Sequence, residues 1–316
     1  MVKHIYSKET EHSEIEHYDV LILGAGPAGL TAALYSARYT MKTAVIAKSF
    51  GGTANLAGEI ENWPGFVGSG TELMRRFKEQ AEKAGARFLE SEVTDVSKDE
   101  NGFILELNDK VVHGKTIIIA SGTEHRKLNI PGEKEFVGKG VSYCAVCDGM
   151  FFKNKTVVII GGADSAAKSA LYLSELAKKV YVIYRRDKLR CEPVSFRKLS
   201  GRKNVEIIYN TNPIQIIGDK KVRSIKSIQQ KKEISMDVDG IFIEVGATPA
   251  VDIVKDLGIE VDCEGYLITD KEAKTNIEGC FAAGDNTNSA LKQVVTASAE
   301  GAIAAKSAYD FIQSQA

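Results

Sequence analysis

The sequence contains little cysteine, little proline and almost no net charge. Its 316 residues include 5 cysteines, 6 prolines and 1 tryptophan, and 41 basic residues balance 42 acidic ones. A low, odd cysteine count argues against a framework of structural disulfides. The formal net charge of -1 argues against a nucleic-acid or membrane partner.

Long apolar runs are also absent from the sequence. None approaches the roughly 18 residues that a bilayer-spanning helix needs, and the opening stretch MVKHIYSKETEHSEIEHYDV has no apolar segment of the signal-peptide type. We therefore expect a cytoplasmic protein. Residues 1–17 are polar and rich in histidine, and we interpret them as a polar N-terminal arm rather than a metal site.

The clearest motif that is present combines a strand, a glycine turn and a helix within YDVLILGAGPAGLTAALYSARY. In such a pattern Gly24 allows a tight turn, Gly26 lets the backbone approach a pyrophosphate, and Gly29 lets the helix pack on the strand. The first turn of the helix offers free N–H groups to the phosphates. The segment therefore predicts a dinucleotide-binding unit.

The same arrangement returns in KTVVIIGGADSAAKSALYLSEL. Two such units on one chain imply two nucleotide cofactors. This second copy is imperfect, because Ala163 takes the place of the middle glycine and its methyl group points into the space of a pyrophosphate. We expect nucleotide binding there to be weakened or reshaped. The residues predicted to line this turn are Gly161, Gly162, Asp164, Ser165 and Ala166.

Arginines follow the next strand of the second unit, in KKVYVIYRRDKLR. A carboxylate at this place would bind a ribose 2′-hydroxyl, whereas Arg185, Arg186 and Arg190 are suited to a 2′-phosphate. The alternative is a solvated basic turn. After the first unit, KTAVIAKSFGG also lacks the usual acidic ribose ligand.

Near the C-terminus, CFAAGD precedes a long helical pattern of small residues. In nucleotide folds that use FAD, a strand ending in Gly-Asp places the carboxylate near the ribityl chain, so Gly284 and Asp285 are candidate ligands.

Together the segments predict an α/β fold of two Rossmann-like, three-layer dinucleotide-binding domains, the second inserted into the first. We assign residues 18–126 and 248–316 to an FAD-binding domain and residues 127–247 to a pyridine-nucleotide-binding domain. The crossings HRKLNIPGE and VGATPAVD contain Pro or Gly and are candidate hinges.

Two cysteines lie three positions apart in SYCAVCDGMFF. The spacing of Cys144 and Cys147 is compatible with a metal clip, a structural disulfide or a redox dithiol; zinc would need two further ligands, and no second cysteine pair exists. A short CxxC loop suits a disulfide that opens readily, because one thiolate can resolve the mixed disulfide left by the other. Asp148 is placed either to carry a proton for a thiolate or to cap a helix. We interpret the other cysteines as small buried hydrophobic residues: Cys191, Cys263 and Cys280.

The chain resembles the low-molecular-weight thioredoxin reductases, flavoproteins of the pyridine nucleotide–disulfide oxidoreductase class. The resemblance runs from about Tyr18 to the C-terminal helix and rests on the ordered motifs GAGPAG, ENWPGF, SGTEHRKLNIPGE, SYCAVCDG, GGADSA, YRRDKLR and FAAGD. It implies FAD and NADPH as cofactors, a homodimer, and a thioredoxin or a similar small disulfide protein as partner. It also implies that Cys147 lies against the flavin while Cys144 attacks the partner. The FAD contacts that it implies are Gly24, Gly26, Pro27, Ala28, Gly29, Gly51, Gly52, Thr53, Asn62, Val93, Ala120, Gly122, Gly284, Asp285, Lys292, Gln293 and Val294.

The sequence departs from the family pattern at several positions. Thr53 replaces a usual glutamine and Lys292 a usual arginine, which affects single contacts to the flavin. In the pyridine-nucleotide site, Ala163 replaces a glycine and Tyr184 a usual histidine. We predict NADPH as the donor because the arginines remain, with NADH, a deazaflavin or ferredoxin as alternatives.

The predicted reaction passes a hydride from the nicotinamide to the flavin, and an electron pair from the flavin to the Cys144–Cys147 disulfide. The resulting dithiol then reduces the partner's disulfide. A ferredoxin–NADP reductase resembles this fold but lacks the CxxC. A nucleotide-binding redox sensor without turnover is the alternative from another class, and the altered second turn would permit it.

Overall fold

The structure is a computed structural model that describes residues 15–57 and 60–315. Most of the predicted polar arm therefore lies outside the described residues. The first strand begins at Glu16, so Glu16 and His17 belong to a sheet and not to the arm. They are held there by parallel pairing with Val112 and His113.

The strands are β1 (Glu16–Leu23), β2 (Thr43–Ala47), β3 (Ile60–Trp63), β4 (Phe66–Gly68), β5 (Arg87–Glu90), β6 (Val93–Asp99), β7 (Gly102–Leu107), β8 (Val111–Ile119), β9 (Thr123–His125), β10 (Val141–Ser142), β11 (Thr156–Ile160), β12 (Lys179–Ile183), β13 (Val205–Ile208), β14 (Thr211–Gly218), β15 (Val222–Gln229), β16 (Lys232–Asp237), β17 (Gly240–Ile243), β18 (Ala247–Pro249) and β19 (Cys280–Ala282). The α-helices are α1 (Pro27–Arg38), α2 (Gly70–Lys83), α3 (Ala145–Asp148), α4 (Asp164–Leu176), α5 (Pro193–Ser200) and α6 (Val294–Ser314). Short 3-10 helices cover Gly52–Leu56, Gly149–Phe152 and Asp252–Leu257.

The chain divides into two compact units. One is formed by both ends of the chain, up to Thr123 and from Pro249 onward, and the other is the continuous segment Glu124–Thr248. The structure thus places the crossings a few residues outside the expected segment 127–247. At the crossings β9 and β18 pair as a two-stranded sheet.

The unit formed by the chain ends is built on a mixed sheet. Strands β5, β2, β1 and β8 run parallel in that order, and β8 then pairs with β7 along its first part and with β19 along its last part. Alternate side chains of β1 enter different cores: Val20 and Ile22 pack with residues of α1, α2 and α6, whereas Leu21 and Leu23 pack on the opposite face. The α/β architecture predicted from the sequence is confirmed for this unit.

The inserted unit has its own parallel sheet, of strand order β10-β17-β11-β12-β13. One face packs on α4 and α5, through residues such as Ala170 and Leu199. The other face packs on the antiparallel sheet β14-β15-β16, through residues such as Ile216 and Ile225. This unit is therefore a second three-layer α/β unit with a buried sheet.

Two further findings concern the described ranges 15–57 and 60–315. No helix in them is both long enough and apolar enough to cross a membrane. No group of three or more His, Cys, Asp or Glu side chains is arranged there to hold a metal ion.

Candidate functional site

The first glycine turn lies between β1 and α1, at the carboxyl ends of the parallel strands. Gly24 has a φ of 109°, and a Cβ on it would lie 2.3 Å from the carbonyl oxygen of Ala120. A Cβ on Gly29 would lie 1.9 Å from the Gly24 carbonyl oxygen. Side chains at these positions would therefore force α1 and the end of β8 away from the turn.

Gly26 leaves an open space beside the turn. Its backbone is extended, with φ -79° and ψ -172°, and a Cβ there would meet no atom within 4 Å. No side chain caps the N-terminus of α1, which begins at Pro27. An open space in front of uncapped helical N–H groups is the geometry that suits a pyrophosphate.

A second turn packs against the first. The Gly51 N–H donates to the Ala25 carbonyl oxygen at 2.6 Å, and a Cβ on Gly52 would lie 3.2 Å from the Gly26 Cα. Thr53 follows with an exposed side chain. The structure therefore brings the Gly51–Thr53 segment to the edge of the open space beside Gly26.

The Gly284–Asp285 step, after β19, also reaches this turn. A Cβ on Gly284 would lie 2.9 Å from the Ala28 Cβ. Burial raises the pKa of the Asp285 carboxyl; the positive charge of Lys292 opposes that rise and the negative charge of Glu300 adds to it. Within the part of the chain that the structure describes, no donor hydrogen-bonds to this carboxylate. A partly buried carboxylate without a donor fits a ligand that carries hydroxyl groups, such as the ribityl chain of FAD.

The hairpin β3–β4 meets the start of α6. Asn62 Nδ2 donates to Gln293 Oε1 at 2.9 Å, although the two residues are 231 positions apart. Gln293 caps α6, with its N–H bonded to Thr296 Oγ1 at 3.1 Å, and Val294 is the first helical residue. The hairpin segment Glu61–Val67 lines a cavity of about 560 Å³.

Lys292 lies just before this cap. Its Nζ donates to the Thr287 carbonyl oxygen at 2.7 Å and lies 3.9 Å from the centre of the Tyr266 ring. Burial lowers the pKa of Lys292, against the opposing charges of Asp285 and Glu300. The ammonium group therefore lies among aromatic and acidic groups at the end of the Gly284–Lys292 loop.

The structure does not place Val93 in this group of residues. Val93 begins β6 and packs on the hydrophobic cluster that contains Leu21 and Leu23, on the other face of the sheet from Ala28. Gly122 follows β8, and its carbonyl oxygen accepts the Ala250 N–H at 3.0 Å beside the crossing.

The second glycine turn, between β11 and α4, has the same strand–turn–helix layout as the first. Gly161 has a φ of 152°, and a Cβ on it would lie 2.2 Å from the carbonyl oxygen of Glu244 and 3.0 Å from the Ala166 Cβ. Ala163 stands at the N-cap of α4 with φ -100° and ψ -170°. This extended conformation is open to any residue, so alanine causes no backbone strain. The Ala163 methyl group occupies the space that corresponds to the open space beside Gly26.

Polar groups surround the start of α4. The Asp164 Oδ1 accepts the Glu192 N–H at 2.6 Å, while Ser165 is exposed. Asp164 thereby ties the helix start to the end of the arginine loop 185–190. The first turn of α4 thus contains an acidic residue, whereas the first turn of α1 contains none.

Tyr184 occupies the gap between the turn and the arginine loop. It is 5% exposed, and a Cβ on Gly162 would lie 2.4 Å from its ring. The Tyr184 hydroxyl accepts a hydrogen bond from Arg190 Nε at 3.0 Å, and the Arg190 N–H donates to the Gly162 carbonyl oxygen at 2.6 Å. Arg185 and Arg186 are exposed. Arg190 is exposed as well, but its two hydrogen bonds orient it.

The cysteine pair forms a disulfide, with an S–S distance of 2.13 Å and a Cα–Cα distance of 5.4 Å. Cys144 is the N-cap of α3, and its Sγ accepts the Cys147 N–H at 3.1 Å. Cys147 is exposed and Cys144 half-buried. Asp148 ends α3, and its side chain makes no capping hydrogen bond to the 3-10 helix that follows. Asp148 thus stands at the N-cap position of that helix without capping it through its side chain, and its proton-carrying role stays a prediction.

The other cysteines differ in exposure. Cys280 is buried, and burial raises the pKa of its thiol to about 12. Cys191 is half-buried, and burial raises the pKa of its thiol too. Cys263 is exposed, so its interpretation as a buried hydrophobic residue is wrong. It lies at the tip of a turn, where the Gly265 N–H bonds to the Asp262 carbonyl oxygen.

Sequence reasoning missed two side chains at the first site. Glu300 on α6 accepts the Gly284 N–H, and the fully buried Asn286 donates from Nδ2 to the Ile119 carbonyl oxygen. A signal for Glu300 was present in the sequence, because a carboxylate is conspicuous within the small-residue stretch TASAEGAIAA. Asn286 offers no such signal, since asparagine after Gly-Asp is also ordinary in a turn.

Comparison with known proteins identifies the family. The sequence model of a family described as pyridine nucleotide-disulphide oxidoreductase matches residues 18–301. The chain belongs to this family. The family predicted from the motifs is confirmed, and with it an oxidoreductase that acts on disulfides. In this pyridine nucleotide-disulphide oxidoreductase, the bonded Cys144–Cys147 pair is the candidate redox disulfide.

Several relatives of this oxidoreductase have names that state an activity. The chain is 42% identical over 306 residues to the thioredoxin reductase of Listeria innocua, covering 95% of this chain and 96% of that protein. It is similar in structure to the thioredoxin reductase of Lactococcus lactis, with a TM-score of 0.92, 41% identity, and coverage of 94% of this chain and 99% of that one. It is also similar to a ferredoxin-flavin thioredoxin reductase from Clostridium acetobutylicum, with a TM-score of 0.53, 33% identity, and coverage of 95% and 100%.

Proposed function

We propose that the protein is a thioredoxin reductase, which passes electrons from NADPH through FAD to the Cys144–Cys147 pair and on to a thioredoxin or a similar small disulfide protein. The observation that carries the proposal is the bonded pair itself, which lies on α3 directly before the second nucleotide unit. The names of relatives that cover more than nine tenths of the chain support the same activity.

In this proposal the unit formed by the chain ends binds FAD; the expected bounds 18–126 and 248–316 are adjusted to the chain up to Thr123 and from Pro249 onward. The turn at Gly24–Gly29 and the uncapped start of α1 would hold the pyrophosphate, and Asp285 would accept hydrogen bonds from the ribityl hydroxyls. When bound, FAD supplies a two-electron carrier between the nicotinamide and the disulfide. The residues present fit this cofactor, because the space beside Gly26 is open and the Asp285 carboxylate has no donor among the described residues.

The inserted unit, expected at residues 127–247 and found at Glu124–Thr248, would bind the pyridine nucleotide. Gly161 would allow the tight turn, and the start of α4 would face the phosphates. Arg185, Arg186 and Arg190 would surround a 2′-phosphate, since guanidinium groups suit that geometry. The fit is weaker than at the first site, because the Ala163 methyl and the Asp164 carboxylate both lie at the turn.

The cysteines would then act in order on the partner. The Cys147 N–H, bonded to Cys144 Sγ, favours negative charge on that sulfur and hence Cys144 as the attacking thiolate. The Cys144 thiolate attacks one partner sulfur to form a mixed disulfide, and the second partner sulfur leaves and takes a proton, for which Asp148 is the nearby carrier. The Cys147 thiolate next attacks Cys144 Sγ, which restores the Cys144–Cys147 disulfide and releases the partner as a dithiol.

The test is anaerobic turnover of purified FAD-loaded protein with NADPH and an oxidised thioredoxin, with the thiols produced counted over time. We expect steady thiol production in the wild type and in Cys263→Ser, which removes an exposed cysteine outside the pair. Cys144→Ser and Cys147→Ser should each abolish it. Production that persists in either pair variant would refute the proposed dithiol, and a wild type that never turns over would leave the redox sensor as the better interpretation.

A donor other than NADPH is the second candidate, supported by Ala163, by Asp164 and by the ferredoxin-flavin relative. Anaerobic titration of the flavin colour distinguishes the donors. Bleaching by NADPH at lower concentrations than NADH supports the main proposal. If neither nucleotide bleaches the flavin but a reduced ferredoxin or deazaflavin does, NADPH is excluded.

We further propose that the protein works as a homodimer in the cytoplasm, as its resemblance to the family implies. Sedimentation equilibrium over a range of concentrations measures the assembly state directly. A mass of one 34.3 kDa chain at all concentrations would contradict the homodimer.

A further inference from the structure

The loop between β19 and α6 is held by one carboxylate. Glu300, in the second turn of α6, accepts the Gly284 N–H at Oε2 over 2.7 Å and the Ser289 hydroxyl at Oε1 over 2.5 Å. Both carboxylate oxygens are thus used, one at each end of the segment 284–289. Hydrogen bonds to a charged acceptor are among the stronger ones in proteins.

The same segment is fixed at two further points. Asn286, which is fully buried, donates from Nδ2 to the Ile119 carbonyl oxygen at 3.0 Å. The Thr287 hydroxyl donates to the Gly284 carbonyl oxygen at 2.9 Å. Asp285 lies between the fixed residues Gly284 and Asn286, yet its own carboxylate receives no donor from the described chain.

Residues of this loop therefore have two different roles, restraint of the backbone and binding of a ligand. Gly284, Asn286, Thr287 and Ser289 each donate a hydrogen bond to the protein, and these bonds hold the backbone. The ionised Asp285 carboxylate can only accept hydrogen bonds, and its oxygens are available to a ligand. Gly284 has a φ of 92°. A glycine adopts positive and negative φ about equally well, so a contact from elsewhere in the protein must hold this backbone conformation. The bond from the Gly284 N–H to Glu300 is that restraint.

We propose that Glu300 is a positioning residue for the flavin: by binding Gly284 and Ser289 it fixes the loop that presents Asp285 to the ribityl hydroxyls of FAD. This inference rests on the proposed function, since it takes FAD as the ligand of that loop. Glu300 itself does not touch the cofactor in this proposal. It acts by removing alternative conformations of the loop before FAD binds.

The test measures FAD binding to FAD-free protein by fluorescence titration, without any turnover. We expect Glu300→Ala to weaken FAD binding by about tenfold or more, since the hydrogen bonds from Gly284 and Ser289 are lost, together with a longer one of 3.4 Å from the Thr287 hydroxyl. Glu300→Gln should stay within about threefold of the wild type, because the amide can donate to one partner and accept from the other. Asp310→Ala is the matched control, because it removes an exposed carboxylate from the same helix, and it should bind FAD like the wild type.

A double-mutant cycle separates positioning from general destabilisation. If Glu300 acts through Asp285, the loss caused by Glu300→Ala should shrink to less than about threefold in an Asp285→Asn background. Equal losses in both backgrounds would overturn the proposal, as would unchanged binding in Glu300→Ala. Should that variant not fold, Ser289→Ala removes the hydrogen bond between residue 289 and Glu300, and we expect FAD binding to weaken by about threefold; no loss would count against the proposal. A wild-type chain that binds no FAD would instead overturn the proposed function itself.

Discussion

Tyr184 links the glycine turn of the inserted unit to its arginine loop through one hydroxyl group. Its ring packs on Gly162, and its oxygen accepts the Arg190 Nε–H at 3.0 Å. A guanidinium fixed through Nε still has both terminal nitrogens available for a phosphate. The phenol therefore provides an oriented Arg190 in place of a flexible one.

We expect Tyr184→Phe to weaken binding of NADP⁺ by about three- to tenfold while leaving binding of NAD⁺ unchanged, because only the hydroxyl that orients Arg190 is lost. Isothermal titration calorimetry with NADP⁺ and with NAD⁺ measures how far the substitution weakens the binding of each nucleotide. Tyr181→Phe, on β12 and packed in the opposite core, is the control. Equal weakening of both nucleotides would mean that Tyr184 only supports the fold.

Asp285 gives a prediction with a defined pH dependence. Burial raises the pKa of its carboxyl above the ordinary 3.8, so the folded FAD-free protein holds this proton to higher pH than the unfolded chain does. The stabilising effect of protonation is complete below the unfolded pKa and is lost as pH rises through the folded pKa. At pH 8 the side chain is a partly buried charge without a donor among the described residues.

We therefore expect Asp285→Asn to stabilise the FAD-free protein at pH 8, with a gain that shrinks as the pH falls toward 4. FAD binding should be weakened by the same substitution. Thermal unfolding of the FAD-free protein at several pH values measures the first effect. Asp95→Asn, at an exposed position of β6, should show no such trend, and a gain for Asp285→Asn that does not vary with pH would contradict the charge argument.

At the scale of elements, Glu16 joins three strands of one sheet. Its carboxylate at the start of β1 bonds to Lys110 next to β8 at 2.9 Å and to Arg87 of β5. The hydrogen bonds from Lys110 and Tyr18 lower the pKa of Glu16 to about 2. A lowered carboxyl pKa stabilises the fold above the unfolded pKa, and this contribution is lost as pH falls toward the folded pKa.

We expect Glu16→Gln to reduce the free energy of unfolding at pH 7 by about 1 kcal/mol, a value reduced for solvent screening because the side chain is 28% exposed. The difference from the wild type should disappear as the pH falls from about 4.5 to about 2. Urea unfolding of the wild type and the variant at pH 7 and at about pH 2 measures this difference in free energy. Glu90→Gln, at an exposed position of β5, is the control. A constant difference at all pH values would show that the charge is not the cause.

The elements also show what sequence can and cannot predict. Gly24 and Gly161 were predictable because a tight turn between a strand and a helix is a local requirement, visible in adjacent residues. The start of β1 at Glu16 was not, because its partners Lys110 and Arg87 are distant in sequence and only tertiary pairing brings them together. The contacts of Glu300 with Gly284 and of Tyr184 with Arg190 were hidden for the same reason. The sequence motifs predicted which residues lie near each glycine turn, but not which side chains form hydrogen bonds to those residues.

For the whole molecule, the exposure of the cysteines predicts the count of reactive thiols. The oxidised protein should show about one fast-reacting thiol, Cys263, since Cys280 is buried and Cys191 is half-buried with a raised pKa. Reduction with dithiothreitol followed by its removal should raise the count by about two, from Cys144 and Cys147. A thiol-reactive dye in native buffer measures both states. Cys263→Ser should remove the first thiol and leave the increase unchanged; an increase of zero would mean that the pair is not reducible.

The pairing of β9 with β18 places the entry and the exit of the inserted unit side by side. A segment whose ends are adjacent can be gained, lost or exchanged as one cassette without rebuilding the host around it. Tyr184 and the three arginines all lie within that cassette, and Asp285 and Glu300 lie in the host. An exchange of the segment Glu124–Thr248 would therefore replace Tyr184 and the three arginines together and leave Asp285 and Glu300 unchanged.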